Sequence, residues 1–175
     1  PDSGALVWNQ RVGEGTALGG NHWGIATDSE RAFMTINDPG NRGENSVPGI
    51  YTYFVGTGEP SWSYRVEPDC DARSERLRRC ESLYGFSATP LSVDGAVITG
   101  GLDGRVFIFN SGTGEQLFKF DTAIDFETVN GVEGYGWSID SHSISAGSGR
   151  VFVGSGYGSF SQVAGNVLLA FKPSE

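Results

Sequence analysis

Several features that mark the common protein classes are scarce or missing in this sequence of 175 residues. No stretch comes near the roughly 18 apolar residues that a membrane-spanning helix needs. No long segment places apolar residues at helical spacing, and the best helix candidate is the short segment Ser74–Leu83. Leu, Lys and Ala, which build most helices, are also scarce. The sequence therefore predicts neither a membrane span nor a helical domain.

An excess of positive charge is missing as well. The formal net charge is −9, whereas nucleic-acid binding requires a clustered positive face. We therefore expect no nucleic acid among the partners. Four arginines do lie close together, at Arg73, Arg76, Arg78 and Arg79, and they form either a docking patch or a solvated loop.

Cysteine occurs only twice, at Cys70 and Cys80, with nine residues between the two. A zinc site would need more ligands nearby, and His22 and His142 are distant in the sequence. The preferred interpretation is a disulfide that closes a loop insertion at 67–84, which predicts an oxidising compartment, either the periplasm or the cell exterior. Two reduced cysteines in a cytosolic protein are the alternative.

Glycine and aromatic residues are abundant, with 27 Gly and 12% Phe, Trp and Tyr, and this composition is typical of an all-β protein. Gly4, Gly58 and Gly114 lie 54 and 56 residues apart, close to the length of a propeller blade with its loops. Each repeat has an alternating strand, a turn containing Gly and then a strand with a large aromatic residue. These aromatic residues are Trp8, Trp62 and Phe118.

The repeats predict a β-propeller of four-stranded antiparallel blades, of which about three are present. The predicted parts are an outer strand in 1–13, blades in 20–66 and 85–122, and a last blade in 136–173 that lacks its fourth strand. The predicted strands are Ala5–Val12, His22–Thr27, Ala32–Asn37, Ile50–Val55, Ser61–Val66, Phe86–Val93, Ala96–Gly101, Val106–Asn110, Gln116–Asp121, Trp137–Ser145, Val151–Ser155 and Val167–Lys172.

Three blades alone would leave two raw sheet edges, which is an aggregation hazard. We therefore expect the remaining blades on a longer polypeptide, with a second copy of the chain as the alternative. In the latter case Ala5–Val12 could complete the last blade of another copy. The start at Pro1, without Met or a signal peptide, is expected to be a cleaved or processed end.

The repeats resemble the blades of quinoprotein propellers, whose docking motif runs Ala-x-Asp-x-x-Thr-Gly-x-x-x-Trp. A partial match to this motif occurs in Asp2–Trp8 and in the two repeats that end at Trp62 and Phe118. Two longer stretches, Gly13–Gly24 and Glu127–Asp140 with its continuation to Pro173, resemble polyvinyl-alcohol-dehydrogenase-like proteins.

This resemblance implies the C-terminal part of a propeller that is eight-bladed when complete. It also implies a periplasmic or secreted alcohol dehydrogenase that depends on pyrroloquinoline quinone (PQQ) and is often coupled to a cytochrome c. No Cys-x-x-Cys-His haem motif occurs in the sequence, so any haem must lie elsewhere.

Propellers bind ligands where their innermost strands meet the central channel, which directs attention to the start of each first strand. At the start of the first blade, Trp23 could stack on a planar quinone, as an indole does in the family, or could only pack between blades. Asn21 could donate a hydrogen bond to a quinone or carboxylate oxygen, or could satisfy its own turn. His22 could act as base or donor, or could be a buried channel histidine.

At the start of the last blade, Trp137 is a second stacking candidate and Ser138 a second hydrogen-bonding candidate, with the same structural alternatives. Asp140 is the best single candidate for the catalytic base or for a ligand to calcium, which family members usually bind, although many aspartates at such places only cap turns. No compact cluster of carboxylates defines a metal site.

Two classes of function fit these observations. The first is an enzyme that oxidises a secondary alcohol or polyol with PQQ, and the segments Asn21–Trp23 and Ser138–Asp140 favour it. The second is a non-catalytic propeller of the same ancestry that binds or assembles other proteins, since a fold does not determine a function.

Overall fold

The computed structural model describes residues 3–16, 20–38, 47–70, 73, 79–160 and 162–173. This part of the chain contains strands and turns but no helix. It therefore has no helix long and apolar enough to cross a membrane. The thirteen strands within it are β1 (Ile25–Thr27), β2 (Arg31–Ile36), β3 (Gly49–Phe54), β4 (Pro60–Arg65), β5 (Leu91–Val93), β6 (Ala96–Gly100), β7 (Arg105–Asn110), β8 (Gln116–Asp121), β9 (Asp125–Glu127), β10 (Glu133–Tyr135), β11 (Ile144–Gly147), β12 (Arg150–Ser155) and β13 (Val167–Phe171).

The strands form three consecutive antiparallel sheets and one separate hairpin. The first sheet has the order β1-β2-β3-β4, the second β5-β6-β7-β8 and the third β11-β12-β13, while β9 pairs only with β10. Within each sheet every strand pairs with the next one in the chain. The predicted all-β class with four-stranded antiparallel sheets is therefore confirmed.

The hydrophobic core lies in two layers, one on each face of the second sheet. On β7, Phe107 and Phe109 pack toward the first sheet, while Val106 packs toward the third sheet. Since side chains alternate between faces along a strand, both faces of β7 must be apolar to fill both layers. This explains why β6 and β7 contain nearly continuous apolar runs.

Trp62 joins the first sheet to the second at their outer strands. Its ring packs between Phe33 and Phe109, with ring centroids 6.1 and 6.0 Å away. Its indole N–H donates to the carbonyl oxygen of Ser111 at 2.8 Å. Gly114 lies beneath the ring with a φ of +75°, and a Cβ there would come within 2.6 Å of the indole. The turn of the second sheet therefore needs glycine for two independent reasons.

Trp8 makes the same contacts one repeat earlier. Its indole N–H donates to the carbonyl oxygen of Val55 at 2.8 Å, and its ring covers Gly58. The segment Ala5–Val12 is nevertheless not a strand, contrary to the prediction. None of the described residues pairs with its backbone, so side chains alone hold it against the first sheet.

The innermost strands are shorter than predicted. Ladder pairing covers only β1, β5 and β11, together with a single bridge between Phe86 and Gly101. The residues before these strands use their backbone groups to join neighbouring sheets instead. Thr89 N–H donates to the Ser141 carbonyl at 2.9 Å, and Ile139 N–H donates to the Gly101 carbonyl at 3.1 Å. The predictions for His22–Thr27, Phe86–Val93 and Trp137–Ser145 were wrong in these first parts.

The hairpin of β9 and β10 was not predicted. In the chain it follows the second sheet and precedes the third, and the side chain of Asn166 binds its base. Asn166 Oδ1 accepts the Tyr135 N–H at 2.8 Å, and its own backbone N–H donates to the Tyr135 carbonyl at 2.9 Å. The turn does contain Gly131 with a φ of +74°, the kind of residue that a hairpin turn requires.

The predicted disulfide between Cys70 and Cys80 is present. Between these residues Arg73 is buried and reaches the second sheet, where it binds Asp103 Oδ2 at 3.1 Å and Asp121 Oδ1 at 2.7 Å. Arg73 is thus neither a free docking residue nor solvated. Arg79 is exposed, and the two remaining arginines of the cluster, Arg76 and Arg78, lie outside the described residues.

The third sheet ends at β13, and no fourth strand pairs with it in the described part of the chain. On the outward face of β13, Leu168 has 73% of its surface exposed. The prediction of a last blade with three strands agrees with this arrangement. The number of blades in the complete ring stays a prediction.

We expect the substitution Gly114→Ala to lower the free energy of unfolding by about 2–4 kcal/mol, because it adds both backbone strain and a clash with Trp62. Gly95→Ala is the matched control, since Gly95 has a φ of +74° with no atom within 4 Å of an added Cβ. It should cost only about 1 kcal/mol. Chemical denaturation of both variants measures the difference, and equal losses would contradict the role of the indole contact.

Replacing both cysteines, as Cys70→Ser with Cys80→Ser, should lower the free energy of unfolding by about 2–3 kcal/mol because the short loop is no longer closed in the unfolded chain. Denaturation with and without a reductant checks this. The reductant should weaken the wild type to the level of the variant and leave the variant unchanged. A wild type that is insensitive to reduction would contradict the prediction.

Candidate functional site

The candidate site lies at one end of the three sheets, where the innermost segments begin. Trp23 lies at its centre and contacts aromatic rings from the first and third repeats. The ring of His22 lies 4.7 Å from the indole, and the rings of His142 and Tyr157 meet it edge-on at 6.3 and 6.4 Å. The structure therefore brings together two histidines that are 120 residues apart in the sequence.

The two polar residues that precede Trp23 remain accessible. His22 is exposed, and its Nδ1 lies 3.5 Å from the hydroxyl of the buried Ser87. Asn21 is also exposed, and its side-chain amide donates to the sulfur of Met34 at 3.4 Å, its one hydrogen bond to the part of the chain that the structure describes. Both side chains can therefore donate hydrogen bonds to a ligand that lies against Trp23.

The indole nitrogen of Trp23 is buried but has no hydrogen-bond partner among the described residues. The indole N–H groups of Trp8 and Trp62, which lie between repeats, both have carbonyl partners. A buried donor without a partner costs roughly 1–3 kcal/mol relative to a paired one. Packing alone thus does not explain an indole at position 23.

Asp140 is almost fully buried, with 1% of its surface exposed. Its Oδ1 accepts the backbone N–H of Ser141 at 2.7 Å, and its Oδ2 accepts an N–H of the Gln162 side chain at 2.8 Å. The carboxylate forms no ion pair with the cationic groups that the structure describes. Asp140 also lines an open cavity of about 520 Å³ together with His142 and Tyr157, which connects it to the cluster around Trp23.

Ser138 lies away from the cavity wall and serves the backbone. It is fully buried, its hydroxyl donates to the Leu102 carbonyl, and the same oxygen accepts the Val163 N–H at 3.0 Å. Its carbonyl accepts two further N–H groups, from Gly156 and Tyr157. These contacts join Ser138 to backbone groups that are distant in the sequence and not to its own turn. Its predicted role as a hydrogen-bond partner of a cofactor stays a prediction.

Trp137 is also separate from the cluster around Trp23. Its backbone N–H donates to the hydroxyl of Ser155 at 2.8 Å, and the same hydroxyl donates to its carbonyl at 2.8 Å. Its indole makes no ring contact with another aromatic residue in the described ranges. Its role as a second stacking residue stays a prediction.

Three residues of this site were not among the predicted site residues: His142, Tyr157 and Gln162. His142 lies two residues after Asp140 in the sequence, and this proximity is the signal that could have marked it. Tyr157 stands in the glycine-rich run Gly154–Gly158, which carried part of the family resemblance. Gln162 had no local feature that could have marked it, since only the folding of its loop places it beside Asp140.

Two other buried carboxyl groups lie at the same end of the sheets. Burial raises the pKa of the Asp103 carboxyl, and the guanidinium groups of Arg105 and Arg73 oppose that rise. Burial also raises the pKa of Asp38, while the backbone N–H of Glu14 lowers it. Asp103 is held by arginines and Asp38 by the N-terminal segment, so both have structural partners.

The donor set for calcium is incomplete in this part of the protein. The described residues contain no group of three or more His, Cys, Asp or Glu side chains that could hold a metal ion. Asp140 offers one carboxylate whose two oxygens already accept hydrogen bonds. The residues that the structure describes therefore do not form a complete calcium site.

Comparison with known sequences gives two strong similarities, while no family model matches the chain. The chain is 28% identical to a polyvinylalcohol dehydrogenase of Sphingopyxis sp. (strain 113P3) and 32% identical to one of a Pseudomonas species. Each similarity covers 98% of the chain, but the chain spans only 27% and 28% of these relatives. The resemblance to polyvinyl-alcohol-dehydrogenase-like proteins is therefore confirmed over nearly the whole chain.

Solved structures support the propeller-type fold. A europium-containing methanol dehydrogenase matches 97% of the chain with a TM-score of 0.55 and 14% identity, over 34% of its own length. The quinohemoprotein alcohol dehydrogenase ADHIIG of Pseudomonas putida HK5 matches 87% with a TM-score of 0.53 and 14% identity, over 26% of its length. BamB of Moraxella catarrhalis matches 85% with a TM-score of 0.50 and 16% identity, over 32% of its length.

We expect Trp62→Phe to lower the free energy of unfolding by about 1 kcal/mol more than Trp23→Phe does. Both changes remove similar apolar surface, but only the first removes a formed hydrogen bond and leaves the Ser111 carbonyl unpaired. Denaturation curves of the two variants provide the comparison. An equal or larger loss for Trp23→Phe would show that the indole N–H of Trp23 has a structural partner.

Proposed function

We propose that this chain is part of a PQQ-dependent dehydrogenase that oxidises a secondary alcohol or a polyol. The observation that carries the proposal is the cluster around Trp23, because two of its members, His142 and Tyr157, line an open cavity together with the buried carboxylate of Asp140. The similarity to two polyvinylalcohol dehydrogenases along 98% of the chain supports the same substrate class. Because the chain spans about a quarter of these relatives, the activity belongs to the complete protein.

The residues around Trp23 fit a planar, oxygen-rich cofactor. The indole offers an aromatic surface and a buried N–H without a partner, and the exposed Asn21 and His22 offer further donors. When bound there, PQQ would supply the two-electron oxidising power that no amino-acid side chain has. The chain itself would bind the ring, orient it and exclude water from one side.

Asp140 would act as the general base that removes the alcohol proton. A base must be held within hydrogen-bond reach of the group that it deprotonates, and Ser141 and Gln162 hold the Asp140 carboxylate from two sides. The exposed imidazole of His22 is a second group that could accept or donate a proton. Asp140 and His22 thus take the two predicted catalytic roles in this proposal.

The surroundings of the protein follow from the same proposal. A disulfide is typical of oxidising compartments, which agrees with a periplasmic or secreted protein. We further propose that a cytochrome c receives the electrons and that the remaining blades of an eight-bladed ring lie on the same polypeptide. The unpaired edge of β13 and the unpaired segment Ala5–Val12 are the two places where such blades would attach.

A non-catalytic propeller that binds other proteins is the second candidate. Two observations favour it: Asp140 is nearly inaccessible, and the hydroxyl of Ser138 is saturated by backbone groups. In such a protein the polar residues at the end of the sheets would only stabilise turns.

Titration of the intact protein with PQQ, with and without calcium, separates the two candidates. We expect saturable binding, seen as quenching of tryptophan fluorescence, and dye-linked oxidation of polyvinyl alcohol or a small secondary alcohol. Intact mass spectrometry of the same sample establishes the length of the polypeptide and any attached haem. Absence of both binding and turnover would favour the non-catalytic candidate.

In the same assay, Asp140→Asn should reduce dye-linked turnover by at least about 100-fold, because a general base contributes roughly that much to the rate. PQQ binding should change little. Asp94→Asn is the matched control, since Asp94 is an exposed turn residue at the opposite end of the second sheet. Full activity of Asp140→Asn would exclude Asp140 as the base.

A further inference from the structure

We propose that Gln162 is a positioning residue that sets the orientation of the Asp140 carboxylate for proton transfer. This inference rests on the proposed function, because it assigns Gln162 a role in the same reaction. It concerns a residue that the sequence pattern did not mark. The contact that suggests it is the hydrogen bond from the Gln162 side-chain amide to Asp140 Oδ2, at 2.8 Å.

The surroundings of Asp140 are unusual for a buried carboxylate. A buried ionised group normally has a cationic partner or several hydrogen bonds. Among the described residues Asp140 has no cationic partner, whereas the similarly buried Asp103 has both Arg105 and Arg73. Neutral N–H donors orient a carboxylate without occupying it with a positive charge, and this suits a group that must accept a proton.

The main chain at Asp140 is fixed independently of Gln162. Ser141 has a φ of +61°, which is rare for residues other than glycine, and its carbonyl accepts the Thr89 N–H at 2.9 Å. The hydroxyl of Ser143 donates to the Asp140 carbonyl at 2.6 Å. With the backbone held in this way, the rotation of the carboxylate is the remaining freedom, and Gln162 is the side chain that restricts it.

The residues that follow Gln162 are attached to neighbouring segments by hydrogen bonds. The next residue, Val163, forms two hydrogen bonds with Ser138. The Val163 N–H donates to the Ser138 hydroxyl at 3.0 Å, and the Ser138 N–H donates to the Val163 carbonyl at 3.2 Å. At the end of the loop, Gly165 N–H donates to the Gly156 carbonyl at 3.0 Å. Ser138 therefore contributes to the site indirectly, because it holds the loop that holds Gln162.

The amide oxygen of the Gln162 side chain gives a further reason to assign this residue a positioning role. Its Oε1 is buried and has no partner among the described residues. An apolar side chain of similar length would avoid this unpaired acceptor, so packing does not account for glutamine here. The amide is also not expected to adopt the flipped orientation, because Oε1 and the Asp140 carboxylate, both hydrogen-bond acceptors, would then face each other.

The test compares Gln162→Met and Gln162→Glu in the intact, PQQ-loaded protein. Gln162→Met keeps the length of the side chain but removes the donor, and we expect kcat to fall at least 10-fold with KM and PQQ affinity within twofold of the wild type. Gln162→Glu adds a like charge beside Asp140, so its kcat should fall further. Gln116→Met, at an exposed position on β8, is the control and should leave kcat unchanged.

A second measurement does not depend on the cofactor. In the PQQ-free protein, the side-chain amide of Gln162 should give a slowly exchanging proton resonance that disappears in Gln162→Met. In Asp140→Ala the same resonance should exchange at least 10-fold faster, because its acceptor is gone. An amide that exchanges rapidly in the wild type would overturn the contact on which the inference is based.

The outcomes separate this inference from the proposed function. If the wild type neither binds PQQ nor oxidises alcohols, the proposed function is wrong and the inference fails with it. If the wild type is active and Gln162→Met keeps kcat within twofold, only the inference is wrong. If Gln162→Met loses kcat, PQQ affinity and thermal stability in parallel, Gln162 is structural and the inference is also wrong.

Discussion

The packing of each sheet against the next one is the constraint on which the rest of this structure depends. The second sheet is covered on both faces, so β6 and β7 have no solvent side and cannot alternate apolar with polar residues. Trp62 adds a directed contact, because its ring needs Gly114 beneath it and its N–H needs the Ser111 carbonyl. A hydrophobic layer alone would permit sliding, whereas this contact sets one register between neighbouring sheets.

Because the cores lie between the sheets, the ends of the strands are free to carry polar residues. Backbone hydrogen bonds between repeats replace ladder pairing there, as with Thr89 and Ser141. This arrangement brings Trp23 from the first repeat against Tyr157 from the third. The candidate site is therefore a product of sheet packing, and a change in the angle between two sheets would take it apart.

The same end of the sheets holds its buried charges in two different ways. Asp103 forms ion pairs with Arg105 and Arg73. Arg73 lies between the two disulfide-bonded cysteines and reaches the second sheet from there. Asp140 has only neutral donors among the described residues. The first arrangement stabilises a turn and ties an insertion to the sheets, while the second leaves a carboxylate oriented and without a counter-charge beside an open cavity.

From the sequence alone, the three main sheets, their glycine turns and the preferred disulfide between Cys70 and Cys80 could be predicted, but the hairpin of β9 and β10 could not. Period-two patterns and glycine turns follow from local sterics, and the recurring Trp8, Trp62 and Phe118 mark the repeat along the chain. The sequence also placed Asn21, His22, Trp23 and Asp140 at the beginnings of innermost segments. Only the tertiary structure decided which of these meet, because contacts between Trp23 and Tyr157 or Asp140 and Gln162 depend on how sheets and loops pack. The strand predicted at Ala5–Val12 failed for the same reason: a strand needs a neighbour, and no pattern within the segment supplies one.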